Sequence, residues 1–480
     1  MKITKLVLQD FRCFENFEID FLNIYNTHVI IAENMVGKSA ILAALKLSAN
    51  TYTSGLKTER QIQITDHRVI GNNPIADITP EVSIITNAIL DFGKNESQIA
   101  TWKKYKTKPS GERTKIEILY GSDVRKKSRE INRLAAEGKA IQPLLGYIGT
   151  EYIHVESSDT VNWEVNGKSL DGYKGCFDDK SIKKFLFKWL DRIDGLLNEI
   201  SRKAIMAESY KDVPENAMYV FKEAVLSILP DIEIIEWSHD AKQPMIKFQN
   251  GDIRLFEMLS DGYRYLILLA GELATRAFIL NKYLGKSVLK EIKGLVIIDE
   301  FGIHLHPSLQ NDALIRLQKT FPNVQFIIST HSPLLLNGLK KEQVHILSID
   351  EEGKRIVSNP DVDIVGLGAN EILIKIFGLN STMDGQFLDW NQEYTQLFNK
   401  KINTALSPIE KDRFIELSKK LAEVRLDPEL NVTSQDDTLT QIIKEKINLR
   451  QSSNSTVSLL ESDANIEEEV EHILDDIFKK

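Results

Sequence analysis

Cysteine is scarce: Cys13 and Cys176 are the only two in 480 residues. Two isolated thiols exclude a disulfide-stapled scaffold and read as free groups in a reducing compartment. Long apolar runs are missing as well. No stretch approaches the roughly 18 apolar residues of a membrane span. The opening MKITKLVLQDFRCF alternates apolar and polar residues as a strand does, whereas a signal peptide has a charged stretch followed by an apolar block. The expected location is therefore the cytoplasm. A surplus of positive charge is also absent. The net charge of -9 and pI near 5.7 argue against a surface that coats nucleic acid, so any DNA contact must be local or shared. With 42% hydrophobic and 27% charged residues, the chain is expected to fold into a large core and a second module.

What is present concentrates in residues 294–333, GLVIIDEFGIHLHPSLQNDALIRLQKTFPNVQFIISTHSP. Residues 294–298 read as a strand buried on both faces that delivers Asp299 and Glu300 to the edge of a sheet. A second apolar strand, 324–328, stops on Ser329, Thr330 and His331 after a crossover helix. Parallel pairing would place the two acids and the imidazole together. Much earlier, residues 28–42 read HVIIAENMVGKSAIL: a strand, a loop ending Gly37, Lys38, Ser39, and a helix from Ala40. That order suits a phosphate-cradling loop, with backbone N–H groups facing the anion, Lys38 reaching the terminal phosphates and the Ser39 hydroxyl on Mg2+. A third stretch, LSDGYR at 259–264, opens an apolar helix; Ser260 is a natural N-cap and Gly262 allows a backbone to approach an anion.

The set AENMVGKS, LSDGYR, VIIDE and STHSP, in that order, resembles the SMC/RecF-like branch of ABC-type ATPases, in the AAA_15/AAA_21 group. The resemblance implies an α/β fold: an ABC-ATPase head, a P-loop NTPase with a central sheet, a helical insertion or lid and a C-terminal helical extension. It implies ATP and Mg2+ as cofactors, with Ala32, Glu33, Asn34, Met35, Val36, Gly37, Lys38, Ser39 and Ala40 around the nucleotide. Ser39 and Asp299 would hold the metal, Glu300 would activate water, and His331 would sense the terminal phosphate. Ser260, Asp261 and Gly262 would act in trans, in a head-to-tail dimer or higher homo-oligomer. Related ATPases usually carry glycine where Ala32 and Met35 stand, so the expectation is ATP binding with slow turnover.

The rest of the chain is read around this centre. Residues 3–8 and 17–21 form an opening hairpin, with Arg12 in its turn read as solvated rather than on nucleotide. Residues 50–80 read as irregular, and the metal-sensing glutamine is left open among Gln61, Gln63 and Gln98. Strands are expected at 81–92 and 114–120, and a charged helix at 122–138 followed by a strand at 144–148. Between the first two lies NESQIATWKKYKTKPSGER, with Trp102 and Tyr105 among lysines; it is read as an exposed basic hairpin ahead of a nucleic-acid contact. Residues 169–229 look helical, and the gap from GKS to LSDGYR shows no sustained heptads, which excludes long coiled-coil arms. After Pro333 a helix and a strand hairpin are expected. Asp361 and Asp363 are read as turn residues rather than metal ligands, and the remainder as helices at 387–403, 408–424 and 438–449.

The expected division is 1–165, first part of the head; 166–250, helical insertion; 251–385, second part of the head; 386–450, helical extension; and 451–480, a linker with an amphipathic helix. In that tail Ile466, Val470, Ile473, Leu474, Ile477 and Phe478 share one face, either folded back or offered to a partner, the second being preferred. The resemblance implies a sensor and scaffold subunit of a bacterial anti-phage defence complex working with a separate HNH or Toprim nuclease. The alternatives are a RecF/SMC-like DNA-repair ATPase that binds DNA and a self-contained endonuclease of the OLD type.

Overall fold

A computed structural model describes residues 1–425 apart from 23, 34, 57, 59–60, 65–66, 71–78, 80, 94–95, 108–116, 121–122, 154–162, 165–166, 181, 203–207, 380 and 405. The expected helix at 438–449 and the amphipathic tail lie outside the described residues, as does Asn34. The chain divides into two compact units, 1–382 and 383–480.

In the first unit, strands β1 (Lys2–Phe11) and β2 (Phe14–Asp20) form the opening hairpin, and β3 (Thr27–Ala32) leads into α1 (Lys38–Gly55). Then come β4 (Glu81–Gly93), β5 (Glu96–Thr107), β6 (Glu117–Tyr120), α2 (Asp123–Ala136) and β7 (Leu144–Ile148). Helices α3 (Lys183–Arg202) and α4 (Glu208–Ile228) precede β8 (Ile232–Ser238), β9 (Gln243–Phe248) and β10 (Ile253–Leu255). The second half of this unit holds α5 (Asp261–Leu280), α6 (Val288–Glu291), β11 (Gly294–Ile298), α7 (Pro307–Thr320), β12 (Val324–Ser329), β13 (Val344–Ile349), β14 (Arg355–Ser358) and α8 (Ala369–Lys375).

Among the described residues these strands form three sheets. The six-stranded one runs β14-β13-β3-β12-β11-β7, with the inner pairs parallel and β14 antiparallel at one edge. Every residue of β3, β11 and β12 is buried, as expected of strands covered on both faces. Helix α5 is buried from Tyr265 to its end, which explains why its sequence is mostly apolar; its buried charges, Glu272 and Arg276, pair with each other at 2.7 Å. The five-stranded sheet, β2-β1-β4-β5-β6, is antiparallel.

Two expectations change here. The segment read as an exposed basic hairpin is, over residues 96–107, the interior strand β5, paired with β4 and β6. Its alternation decides the matter: Trp102, Lys104 and Lys106 point inward, and the two ammonium groups donate to the carbonyls of Ile62 and Ile64. Satisfied by backbone oxygens, these lysines can be buried, and Trp102 belongs to the core rather than to a base-stacking surface. Secondly, 166–250 is not helical throughout. β8 and β9 close it as an antiparallel hairpin, with Ile232, Ile235 and Ile246 buried and acids outside.

In the second unit α9 (Gly385–Asn403) is capped by Asp384 and pairs with α10 (Pro408–Arg425). Tyr394 stacks on Phe414 at 4.8 Å, and Arg413 donates through two nitrogens to Glu393.

Candidate functional site

The site begins with strand order. β3, β12 and β11 lie side by side and parallel, with Ser329 opposite Ile30 and Ile328 opposite Ile298, so their C-terminal ends open on one edge. Ligands of open parallel sheets bind at that edge. After β3 the chain makes the tight loop that ends in α1. Gly37 caps α1 with φ 129°, in the region where a side chain is strained, and a Cβ there would sit 2.7 Å from Phe14 and 2.9 Å from Cys13. Lys38 folds back so that Nζ donates to the carbonyl of Ala32 at 2.6 Å and of Glu33 at 3.4 Å. Burial lowers its pKa, and Glu300 and Asp299 oppose that shift from across the loop. Glu33, Met35 and Ser39 are exposed, while Val36 and Ala40 are buried beneath them.

Of the two positions that lack the usual glycine, Ala32 ends β3 in ordinary extended backbone and loses nothing by its methyl. Met35 is different. It takes a left-handed φ of 67° and stands 94% exposed, so the loop keeps a glycine's shape with a residue that resists it.

At the end of β11 the chain turns through Asp299, Glu300 and Phe301. Asp299 donates its N–H to Ile148 at 2.8 Å. Ser329 donates its hydroxyl to Asp299 Oδ1 at 2.5 Å and accepts the N–H of Glu300 at 2.7 Å. Glu300 itself has a left-handed φ of 51°. Glu300, Ile303, Gln310, Thr330 and His331 line one cleft. His331 is exposed, which excludes a core histidine. Partial burial and then Lys38 lower its pKa, while Glu300 and Asp299 raise it. Lys38, Asp299, Glu300 and His331 thus come within electrostatic reach of one another, from three strand ends.

Ser260 is the N-cap of α5, and its side chain makes no capping bond; Asp261 pairs with Arg264. A Cβ on Gly262 would stand 2.8 Å from the carbonyl of His304, so this glycine admits the loop that follows Glu300. That close approach is to the chain's own backbone.

None of the three candidate glutamines lines this cleft. Gln61 accepts from Arg125 at 2.6 Å, Gln98 donates to Glu96 at 2.9 Å, and Gln63 is exposed. The glutamine that lines the cleft is Gln310 on α7, which accepts from Ser332 at 2.7 Å and donates to the carbonyls of Gly302 and Leu305. Arg355 was also missed. From β14 it donates Nε to the carbonyl of Val36 at 2.9 Å, the same oxygen the Cys13 thiol faces at 3.8 Å, and so ties the phosphate-loop backbone to the edge strand. Ser329 was visible inside STHSP, but nothing local announces Arg355. Asp361 and Asp363 are exposed in the bend between β14 and α8.

Among the described residues no cluster of three or more His, Cys, Asp or Glu could hold a metal alone. Mg2+ needs only one or two protein oxygens when phosphates complete its shell, so Asp299 and the Ser39 hydroxyl are a donor set that fits.

Two AAA-domain family models match: AAA_23 over residues 5–218, and AAA_21, whose description also names the AbiEii toxin and a type IV TA system, over 156–337. Together with the P-loop geometry above, these AAA-domain matches define the class as an ATPase with a P-loop α/β fold. It resembles the Septu protein PtuA of Bacillus mycoides (strain KBAB4), at 26% identity over 430 residues, 88% of this chain but 50% of that one. The Retron Vc95 probable ATPase of Vibrio cholerae serotype O1 biovar El Tor is 26% identical over 395 residues, 72% of this chain and 74% of that protein. Endonuclease GajA of Bacillus cereus (strain VD045) is 23% identical over 350 residues, 70% and 56% respectively. The chain thus spans about half the length of the PtuA and GajA relatives. No described helix is long and apolar enough to cross a membrane.

Proposed function

We propose that this chain binds Mg2+ and ATP in the loop at 32–40 and hydrolyses the nucleotide between two head-to-tail copies in the cytoplasm. The observation that carries this reading is the acid turn: Asp299 and Glu300 are held by Ser329 beside Lys38, with His331 in the same cleft. Lys38 and the loop's N–H groups bind the phosphates, Asp299 and Ser39 hold the metal, and the metal offsets charge on the phosphates. Glu300 takes the proton from the attacking water, and His331, in the same cleft, contacts the terminal phosphate. Catalysis of this kind is positioning and charge stabilisation.

The α5 N-terminus, with Ser260, Asp261 and Gly262, closes the partner's nucleotide. Met35 (94% exposed), Met258 (64%) and Ile303 (62%) stand beside these segments and support a face that is covered in an assembly. ATP would then join the heads and hydrolysis release them, a switch that gates a separate HNH or Toprim nuclease in anti-phage defence. The similarity to PtuA and to the retron ATPase supports that role. Burial of Trp102 in β5 removes one base-stacking candidate from the DNA-clamping alternative.

Glu300→Gln tests the chemistry. It should keep ATP affinity while hydrolysis falls about 100- to 1000-fold, and it should accumulate an ATP-bound dimer on a sizing column. Undiminished hydrolysis would falsify the assignment. Purified chain with Mg2+ and plasmid should leave DNA uncut; robust cutting by the chain alone rules out the partner scheme.

A further inference from the structure

We propose that Ser329 is the positioning residue that sets both acids of the site at once, an inference that rests on the roles given above to Asp299 and Glu300. Ser329 ends β12, is fully buried, and faces the turn after β11 on the neighbouring parallel strand. Its hydroxyl donates to Asp299 Oδ1 at 2.5 Å and accepts the Glu300 N–H at 2.7 Å, and its carbonyl accepts the Phe301 N–H at 2.9 Å. Three consecutive residues of the acid turn are therefore tied to one residue of the adjacent strand.

A serine hydroxyl has a single hydrogen and two lone pairs, so donation to one acid and acceptance from the next residue fix its rotor. The hydrogen given to Asp299 requires that carboxylate to accept, which fixes the direction of Oδ1 and leaves Oδ2 with no bond from Ser329. The bond accepted from Glu300 does a different task. Glu300 sits at φ 51°, a conformation a non-glycine residue keeps only when its surroundings hold it. Releasing its N–H lets the backbone relax toward the ordinary region and carries the carboxylate out of the cleft. Thr330, donating to the Phe301 carbonyl at 2.8 Å, holds the far end of the turn but touches neither acid. One side chain thus couples the orientation of the metal-holding group to that of the water-activating group.

The test uses the full chain with Ser329→Ala, Ser329→Cys and Ser329→Thr beside Asp299→Asn and Glu300→Gln. Three quantities are read: kcat and KM for ATP, the affinity of a fluorescent ATP analogue in EDTA and in Mg2+, and the thermal midpoint. For Ser329→Ala, kcat should fall about 10- to 100-fold and the gain in nucleotide affinity that Mg2+ brings should shrink about tenfold, with affinity in EDTA unchanged. Ser329→Thr, which restores a hydroxyl, should recover most of both. If the alanine variant melts, Ser329→Cys fills the same space with a poor donor and carries the same expectation. Wild-type kcat and Mg2+ response in a folded Ser329→Ala or Ser329→Cys, with Glu300→Gln inactive, overturns the positioning role and leaves the site assignment standing. A loss of affinity in EDTA with an unaltered Mg2+ response also overturns it, since that is what a general structural defect produces. Wild-type turnover in both Asp299→Asn and Glu300→Gln would instead remove the assignment on which the inference rests.

Discussion

Lys38 and the pair Lys104 and Lys106 are buried lysines that donate to backbone carbonyls, yet they stand in regions that use them differently. In β5 each ammonium meets a carbonyl of the segment at 62–64, so the charge is consumed in fastening that segment to an antiparallel sheet. At the end of β3 the ammonium of Lys38 rests on two loop carbonyls but also feels Asp299 and Glu300, and it lies where parallel strands open to solvent. Burial of a lysine is therefore not a functional sign by itself. The sign is burial beside opposite charges at a sheet edge that a ligand can reach.

The largest effect should separate the two kinds of lysine. Lys38→Ala is expected to lower ATP turnover about 1000-fold with the thermal midpoint little changed. Lys104→Met should instead cost about 1 to 3 kcal/mol of stability in urea titrations and spare kcat. Equal loss of turnover in both would erase the distinction. Next in size is the contrast within α5. Gly262→Ala, whose Cβ would press on the His304 carbonyl, should cost about 1 to 3 kcal/mol of stability. Ser260→Ala should leave stability alone and weaken the ATP-dependent dimer about tenfold, on the scale of one lost charge-assisted hydrogen bond; a dimer constant equal to wild type argues against closure in trans. Smaller again, Met35→Gly relieves a left-handed methionine and should raise turnover about fivefold, the equivalent of roughly 1 kcal/mol. Side-by-side rates that do not differ would sink that explanation of slow turnover.

A separate effect, read against pH, tests buried charge away from the edge. His28 Nδ1 and His345 Nε2 lie 3.2 Å apart in the core, and burial pushes their pKa values down to about 4 and about 3, His345 further depressed by its neighbour. Both rings are neutral when folded, whereas unfolded histidines take up protons near pH 6.5. Their contribution is complete above that value and is lost as pH falls through the window down to about 4 for His28 and about 3 for His345. Each ring should steepen acid destabilisation by about 1.4 kcal/mol per pH unit, and His345→Gln should remove one ring's share between pH 6.5 and 5. A slope unaltered by that change would mean the pair is not buried neutral.

Much of this was written locally. Apolar runs ending on Asp299 and Glu300 and on Thr330 and His331, and the loop before Lys38, told of buried parallel strands with chemistry at their ends, and the structure brings those ends together. The basic and aromatic residues of β5 misled because their spacing allows both an exposed rim and an interior strand. Only the partners on either side decide which face is inward. The glutamine in the cleft came from α7 and not from 61, 63 or 98, because position in the chain says nothing about which helix returns to the edge.

The sequence by itself determined the strands and helices around the loop at 32–40 and the acids at 299–300, since periodicity and a short loop motif act over a few residues of contiguous chain. Tertiary structure alone decided that Arg355 supports Val36 across 319 positions, that Ser329 grips two acids on the next strand, and that Lys104 and Lys106 serve the core. The reason is that such contacts depend on strand order and register, which are set by how whole sheets bury their faces and are not recorded in any local stretch.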